Sequence, residues 1–224
     1  MTIDGIVAFV PMRHSSERVP GKNYRDFNGR PLFHHVVSTL LDVPQIDTVV
    51  IDTDSPTIEE QCAQHFPTVR CIPRPERLLG GEVPMTDVLA YDASQFPASW
   101  YLQTHSTNPL LTAATVQRAI EALDASIDTH DSLFTVTRLQ TRLYDQQGNP
   151  INHDPSELLR TQDLPPVYEE NSNVYVFPDH LIAAGQRIGD RPMLFEVDPL
   201  EAVDIDEEHD FVIAELLHKM RSAQ

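Results

Sequence analysis

Short apolar runs rich in β-branched residues alternate along this chain with stretches of helical periodicity, and this alternation limits the possible folds more than any other feature. Residues 5–10 (GIVAFV) read as a buried strand. Pro31 opens a helix to Leu41 with Leu32, Val36, Val37, Leu40 and Leu41 on one face, flanked by His34 and His35. Thr48–Ile51 is a second strand, and Ser55–Pro56 supplies an N-cap and a first-turn proline for a helix buried at Ile58, Cys62 and Phe66. A third strand at Val69–Ile72, a helix at Met85–Ala93 and a fourth strand at Trp100–Gln103 follow. Thr112 caps a helix carrying Val116, Ala119, Ile120 and Leu123 on one face, and Leu133–Val136 is a fifth strand. This order predicts one α/β domain over residues 1–224, with a mostly parallel sheet covered by helices on both faces. Ligands of such sheets bind at the carboxyl ends of the strands, where the polar loops of this chain also fall.

The rhythm breaks between Arg138 and Glu170. Gln146–Asn149 reads as a hairpin tip and is followed by Pro-rich charged sequence. Because Leu158, Leu159 and Tyr168 recur, residues 138–170 read as an excursion from the sheet, either an oligomer arm or a lid. Strands are expected at Asn173–Phe177, Met193–Val197 and Ala202–Ile205, with a helix at Asp179–Ala184. A last helix at Glu207–Arg221 has an apolar stripe of Val212, Ile213, Leu216, Leu217 and Met220.

Charge narrows the partners. The 224 residues carry a formal charge of −18, which excludes a nucleic-acid backbone as the natural ligand. No run approaches a membrane span, no basic leader opens the chain, and the only cysteines, Cys62 and Cys71, lack metal-ligand spacing. The expected setting is a cytoplasm that keeps them reduced. Five of the sixteen cations (Arg13, Arg18, Lys22, Arg25, Arg30) lie in the first thirty residues, and three more (Arg70, Arg74, Arg77) surround the third strand end. They either bind a small anion or balance neighbouring acids.

The loop after the first strand carries Arg13, Ser15, Ser16, Arg18 and Lys22, a set suited to phosphate although it has neither a Walker nor a dinucleotide glycine pattern. Near the other end, Val203-Asp204-Ile205-Asp206 reads as a strand end that projects two carboxylates to one face, about 6 to 7 Å apart. Such a pair suits Mg²⁺ completed by substrate phosphate. Asp206 has a second reading as the N-cap of the last helix.

Together these stretches resemble acylneuraminate and related nonulosonate cytidylyltransferases, with further likeness to the 3-deoxy-manno-octulosonate enzymes. Met12-Arg13, Ser16, Pro20, Lys22 and Asn23 match the family's opening loop, and Arg18 and Gly21 match the octulosonate form. Residues 51–54 (IDTD), 74–76 (RPE), 102–110 (LQTHSTNPL), Arg160 with Gln162, 171–175 (NSNVY) and 203–211 follow in the family's order. The resemblance implies a Rossmann-like nucleotidyltransferase that transfers CMP from CTP to the anomeric hydroxyl of a 2-keto-3-deoxy sugar acid. On that likeness Met12, Arg13, Ser16, Lys22, Asn23 and Arg74 hold CTP. Gln103, Asn171 and Tyr175 meet the sugar acid, Arg160 reaches it from a partner subunit of a homodimer, and Asp204 and Asp206 hold Mg²⁺. Arg13, Arg18, Lys22 and Asp204 would serve the transfer itself. Three departures stand out: Glu17 replaces the loop lysine, and Ser15 and Ser172 replace glycines. They leave open a different acceptor, such as octulosonate or another small acid or phosphonate, and a non-catalytic binding relative.

Overall fold

A computed structural model describes residues 3–222. Strand β1 (Ile6–Phe9) is buried on both sides because helices cover both sheet faces: Ile6 and Ala8 join one apolar cluster, Val7 and Phe9 the other. Helix α1 (Leu32–Leu41) follows, then β2 (Ile46–Thr53), α2 (Pro56–His65), β3 (Arg70–Pro73), α3 (Met85–Gln95) and β4 (Trp100–Thr104). The second half contains α4 (Ala113–Asp124), β5 (Ser132–Leu139), β6 (Val167–Pro178), α5 (Asp179–Ala183), β7 (Pro192–Glu196) and α6 (Glu208–Ser222).

The seven strands lie in the order β3-β2-β1-β4-β6-β5-β7. Strand β6 pairs antiparallel with both β4 and β5, while the other pairings are parallel. Helices α1, α2 and α4 bury Val36, Ile58 and Val116 on one face, and α3 and α5 bury Leu89 and Leu181 on the other. Two caps behave as expected: the Ser55 side chain accepts from Ile58 N–H and the Thr112 side chain from Thr115 N–H. Cys62 and Cys71 are free thiols.

Four expectations need correction. Ala202–Ile205 is irregular and joins no sheet; Ile205 N–H reaches only Thr107 O, at 3.0 Å, so this stretch hangs on the turn after β4. In α6 the expected stripe faces out, with Val212, Ile213, Leu216 and Met220 exposed and Phe211 and Ala214 buried instead. The helix packs on a small cluster with Val19, Phe27 and Leu32 rather than on the sheet, which rotates the buried face. Leu41 is likewise exposed, whereas His34 and His35 are buried. Burial holds both imidazoles down to about 4, hence neutral, and the His35 ring sits 3.0 Å from Phe27 O.

The excursion is shorter than expected, because β5 extends to Leu139 and β6 begins at Val167. Residues 140–166 leave the sheet, turn at Asp145–Asn149, and are tied back where Gln140 Nε2 donates to Gln162 O and Leu164 O.

Candidate active site

The strand order turns at β1, with β2 on one side and β4 on the other. The loops leaving the carboxyl ends of β1 and β4 therefore diverge and open a crevice between them. Met12 is buried and continues the β1–β2 pairing, its N–H donating to Asp52 O at 2.8 Å. The rest of the loop turns at Gly21, whose φ is +65° and where a Cβ would meet the Tyr24 ring at 2.9 Å, so only glycine fits. Asn23 is a brace: its Nδ2 donates to Arg13 O at 2.9 Å, and its Oδ1 accepts from Ser106 Oγ after β4 at 2.7 Å.

A cleft of about 610 Å³ opens there, lined by Arg13, Ser16, Arg18 and Lys22 and by Asp204 and Asp206. The two stretches, 183 to 189 residues apart in sequence at their contacts, touch directly. Arg18 Nη2 lies 2.7 Å from Asp206 Oδ1, with Glu207 at 3.5 Å. Lys22 Nζ donates to Ile205 O at 2.5 Å and lies 3.9 Å from Asp206. Burial lowers the Lys22 pKa, opposed by the charges of Asp204 and Asp206. Burial, with the Asp206 charge beside it, raises Asp204, and Asp204 Oδ1 is buried without a hydrogen-bond partner. Of the two readings of Asp206, the cap falls. Asp210 Oδ2 accepts from the backbone N–H groups of Asp206 and Glu207 and so closes the start of α6.

Other expected nucleotide contacts are redirected. Arg74 lines the cleft but is buried, its guanidinium bound to the Asp52 carboxylate and Asp52 O. Behind it lies Asp92 of α3, fully buried. Desolvation and the adjacent Asp52 charge push this acid up to about 9, so at neutral pH Asp92 is an un-ionised acid beside an Arg74–Asp52 ion pair. Arg18, expected to serve phosphate, is engaged with acids, and Glu17 stands at the cleft lining.

Gln103 and Tyr175, both fully buried, pair across the β4–β6 border, and Asn171 lies further along β6 on its β5 side. Gln103 and Tyr175 face a residue that no sequence motif marks: Arg187 Nη1 donates to Gln103 Oε1 at 2.6 Å, and its guanidinium lies 3.7 Å over the Tyr175 ring. Tyr175 O–H donates to Glu170. Asn171 Nδ2 turns to Thr137 Oγ1 at 3.1 Å, which braces the strand. Ser172, in the glycine position, has φ +56°. Arg160 lies on the excursion, 73% exposed and paired with Asp163 at 2.6 Å, and is not brought to this site within the chain. His105 was also missed. It lines the cleft from within the polar turn after β4, and no local pattern marks it as different from a solvated turn residue.

A cationic loop facing two acids at the switch point of a parallel sheet defines an α/β protein built to hold a phosphorylated nucleotide. The chain belongs to the cytidylyltransferase family, whose pattern matches residues 7–222, and is a CTP-dependent enzyme. It is 26% identical to the CMP-N,N'-diacetyllegionaminic acid synthase of Legionella pneumophila, over 96% of this chain and 97% of that one. It is 29% identical to the 3-deoxy-manno-octulosonate cytidylyltransferase of Geobacter metallireducens, over 54% of this chain and 46% of that one. Its fold matches a CMP:2-keto-3-deoxy-manno-octonic acid synthetase complexed with CTP, with TM-score 0.68, 15% identity, and 99% and 100% of the two chains covered. Among the described residues no helix is long and apolar enough to cross a membrane.

Proposed function

We propose that this enzyme transfers CMP from CTP to the anomeric hydroxyl of a 2-keto-3-deoxy sugar acid of the nonulosonate class. The hydroxyl oxygen bonds to the α-phosphorus, the bond to the β-phosphate bridging oxygen breaks, pyrophosphate leaves, and the hydroxyl proton passes to solvent. The observation that carries this reading is the meeting of Arg18 and Lys22 with the 204–207 acids in one cleft. Phosphoryl transfer depends mainly on positioning and on neutralising charge, and both signs of fixed charge are present. The nonulosonate class is favoured over octulosonate because the legionaminic relative matches over almost the whole chain and the octulosonate relative over about half.

Asp204 and Asp206 fit a Mg²⁺ ion. The orphaned Oδ1 of Asp204 and its raised pKa mark a carboxylate that Lys22 compensates only in part. Among the described residues no group of three or more acid, His or Cys ligands gathers, as suits an ion that takes its remaining ligands from phosphate and water. Bound there, Mg²⁺ would neutralise phosphate charge.

Lys22 would then hold the phosphates, with Arg13 beside them at the cleft lining and Asn23 and Met12 keeping the loop in register. A homodimer joined through residues 140–166 is part of the same proposal. Tyr144, Ile151 and Leu158 there are 52%, 58% and 89% exposed, more than an apolar arm keeps when paired. CTP as substrate and two free thiols suit a cytoplasmic enzyme. The test is pyrophosphate release from CTP against a panel of N,N'-diacetyllegionaminate, N-acetylneuraminate and 3-deoxy-manno-octulosonate. Turnover with a nonulosonate supports the class, and turnover with octulosonate alone overturns it.

A further inference from the structure

A sugar acid brings a carboxylate into the site, and the cations of the phosphate loop are placed for CTP. At the β4–β6 border one other cation is held in place. Arg187 follows α5, is 22% exposed, stacks at 3.7 Å on the Tyr175 ring, and donates from Nη1 to Gln103 Oε1 at 2.6 Å. Glu170 stands 3.7 Å from its Nη2, close enough to balance charge but too far to take a hydrogen bond. The Nε and Nη2 donors form the fork that binds a carboxylate through two parallel bonds.

The neighbouring atoms fix this arrangement. Because Gln103 gives its oxygen to Arg187, its Nε2 donates to the His105 ring nitrogen 3.0 Å away. His105 is therefore an acceptor at Nε2 and carries its proton on Nδ1. Burial, with Arg187 as the next cause, holds this imidazole down to about 4, so it adds no charge of its own. The cluster also borders the cleft. His105 lines it, as does Ser172, whose Oγ lies 3.1 Å from the Tyr175 hydroxyl.

We propose that Arg187 binds the acceptor carboxylate from within the same chain, its guanidinium oriented by Gln103 and the Tyr175 ring. This rests on the sugar-acid reading above and assigns to Arg187 a task that needs no residue from a partner subunit. Glu170 balances the guanidinium and also takes the Tyr175 hydroxyl.

The test compares Arg187→Met, which keeps the stem over Tyr175, and Arg187→Lys, which keeps the charge but loses the fork. The probes are N-acetylneuraminate, N,N'-diacetyllegionaminate and 3-deoxy-manno-octulosonate, each as the free acid and as its methyl ester, with CTP. In Arg187→Met the acceptor KM for the acid rises about 30-fold or more, as loss of a charge-assisted pair implies. The CTP KM stays within about 2-fold. The wild-type preference for acid over ester collapses towards unity, and Arg187→Lys falls between the two. Equal losses for acid and ester, or an unchanged acid preference, overturn the role of Arg187 while leaving the transferase standing. A wild-type enzyme that turns over none of the acids overturns the function and this assignment together.

Discussion

The cleft at the nucleotide end and the side-chain cluster that borders it, the proposed acceptor end, are built in different ways. At the nucleotide end, contacts run between loops that leave adjacent parallel strands: Met12 to Asp52, Asn23 to Ser106, Arg74 to Asp52. At the acceptor end, residue 103 of β4, residues 170 and 175 of β6 and residue 187 after α5 come from three separate stretches and meet because β6 runs antiparallel beside β4. The first end is set by the strand order itself, the second by side chains packed across it. Substitutions at the nucleotide end should therefore change CTP handling or the stability of the sheet edge, and substitutions at the acceptor end should leave CTP handling unchanged.

The largest effect that separates the two ends is expected from Lys22→Met. Losing a charged hydrogen bond to phosphate raises the CTP KM by about 10- to 100-fold, and steady-state kinetics should show the acceptor KM nearly unchanged. A parallel rise in the acceptor KM would mean that the two ends are not separate.

A smaller effect belongs to the buried acid behind Arg74. The Asp92 pKa is about 9 when folded against an ordinary 3.8. Between those values the folded chain holds a proton that the unfolded chain has released, so stability falls as pH rises from about 4 to 9. Asp92→Asn, which mimics the neutral acid, should flatten that slope and stabilise the protein at pH 8. Urea midpoints measured from pH 5 to 9 check this, and an unchanged slope counts against the assignment.

The smallest effect is at the acceptor end. Ser172 holds φ +56°, a region that glycine occupies without penalty. Ser172→Gly should stabilise by up to about 1 kcal/mol, a rise of about 2–4 °C in Tm. It also removes the Ser172–Tyr175 contact at 3.1 Å. Calorimetric melting distinguishes relief of strain from loss of that contact, which would lower Tm.

The same contrast explains what the sequence revealed. Strands β1 to β5, the Ser55 and Thr112 caps and the loop from Arg13 to Asn23 are legible because each depends on residues a few positions apart. The stripe on α6 was visible as periodicity, but the pattern does not say which face is covered, and Phe211 and Ala214 proved to be the packed pair. Asp204 was read on a strand because apolar and acidic residues alternate there. The backbone is instead held by Thr107 O, by Asn108 Nδ2 donating to Val203 O and by Lys22 reaching Ile205 O, and none of these partners is local. The family likeness places Arg74 at the nucleotide, and nothing nearby in sequence shows that Asp52 takes its charge. Arg187 stood in an unremarkable Gly-Gln-Arg turn, and only the packing of β4 beside β6 gives it partners.

In the proposed function the cationic loop and the 204–206 acids act as one CTP site. The most direct measurement is pyrophosphate release from CTP with the best acid of the panel, in the wild type and in Asp204→Ala. Turnover that depends on the acid and falls by about 10²-fold or more in the variant is the predicted result, as for loss of a group that stabilises transition-state charge. Turnover retained in Asp204→Ala would contradict it.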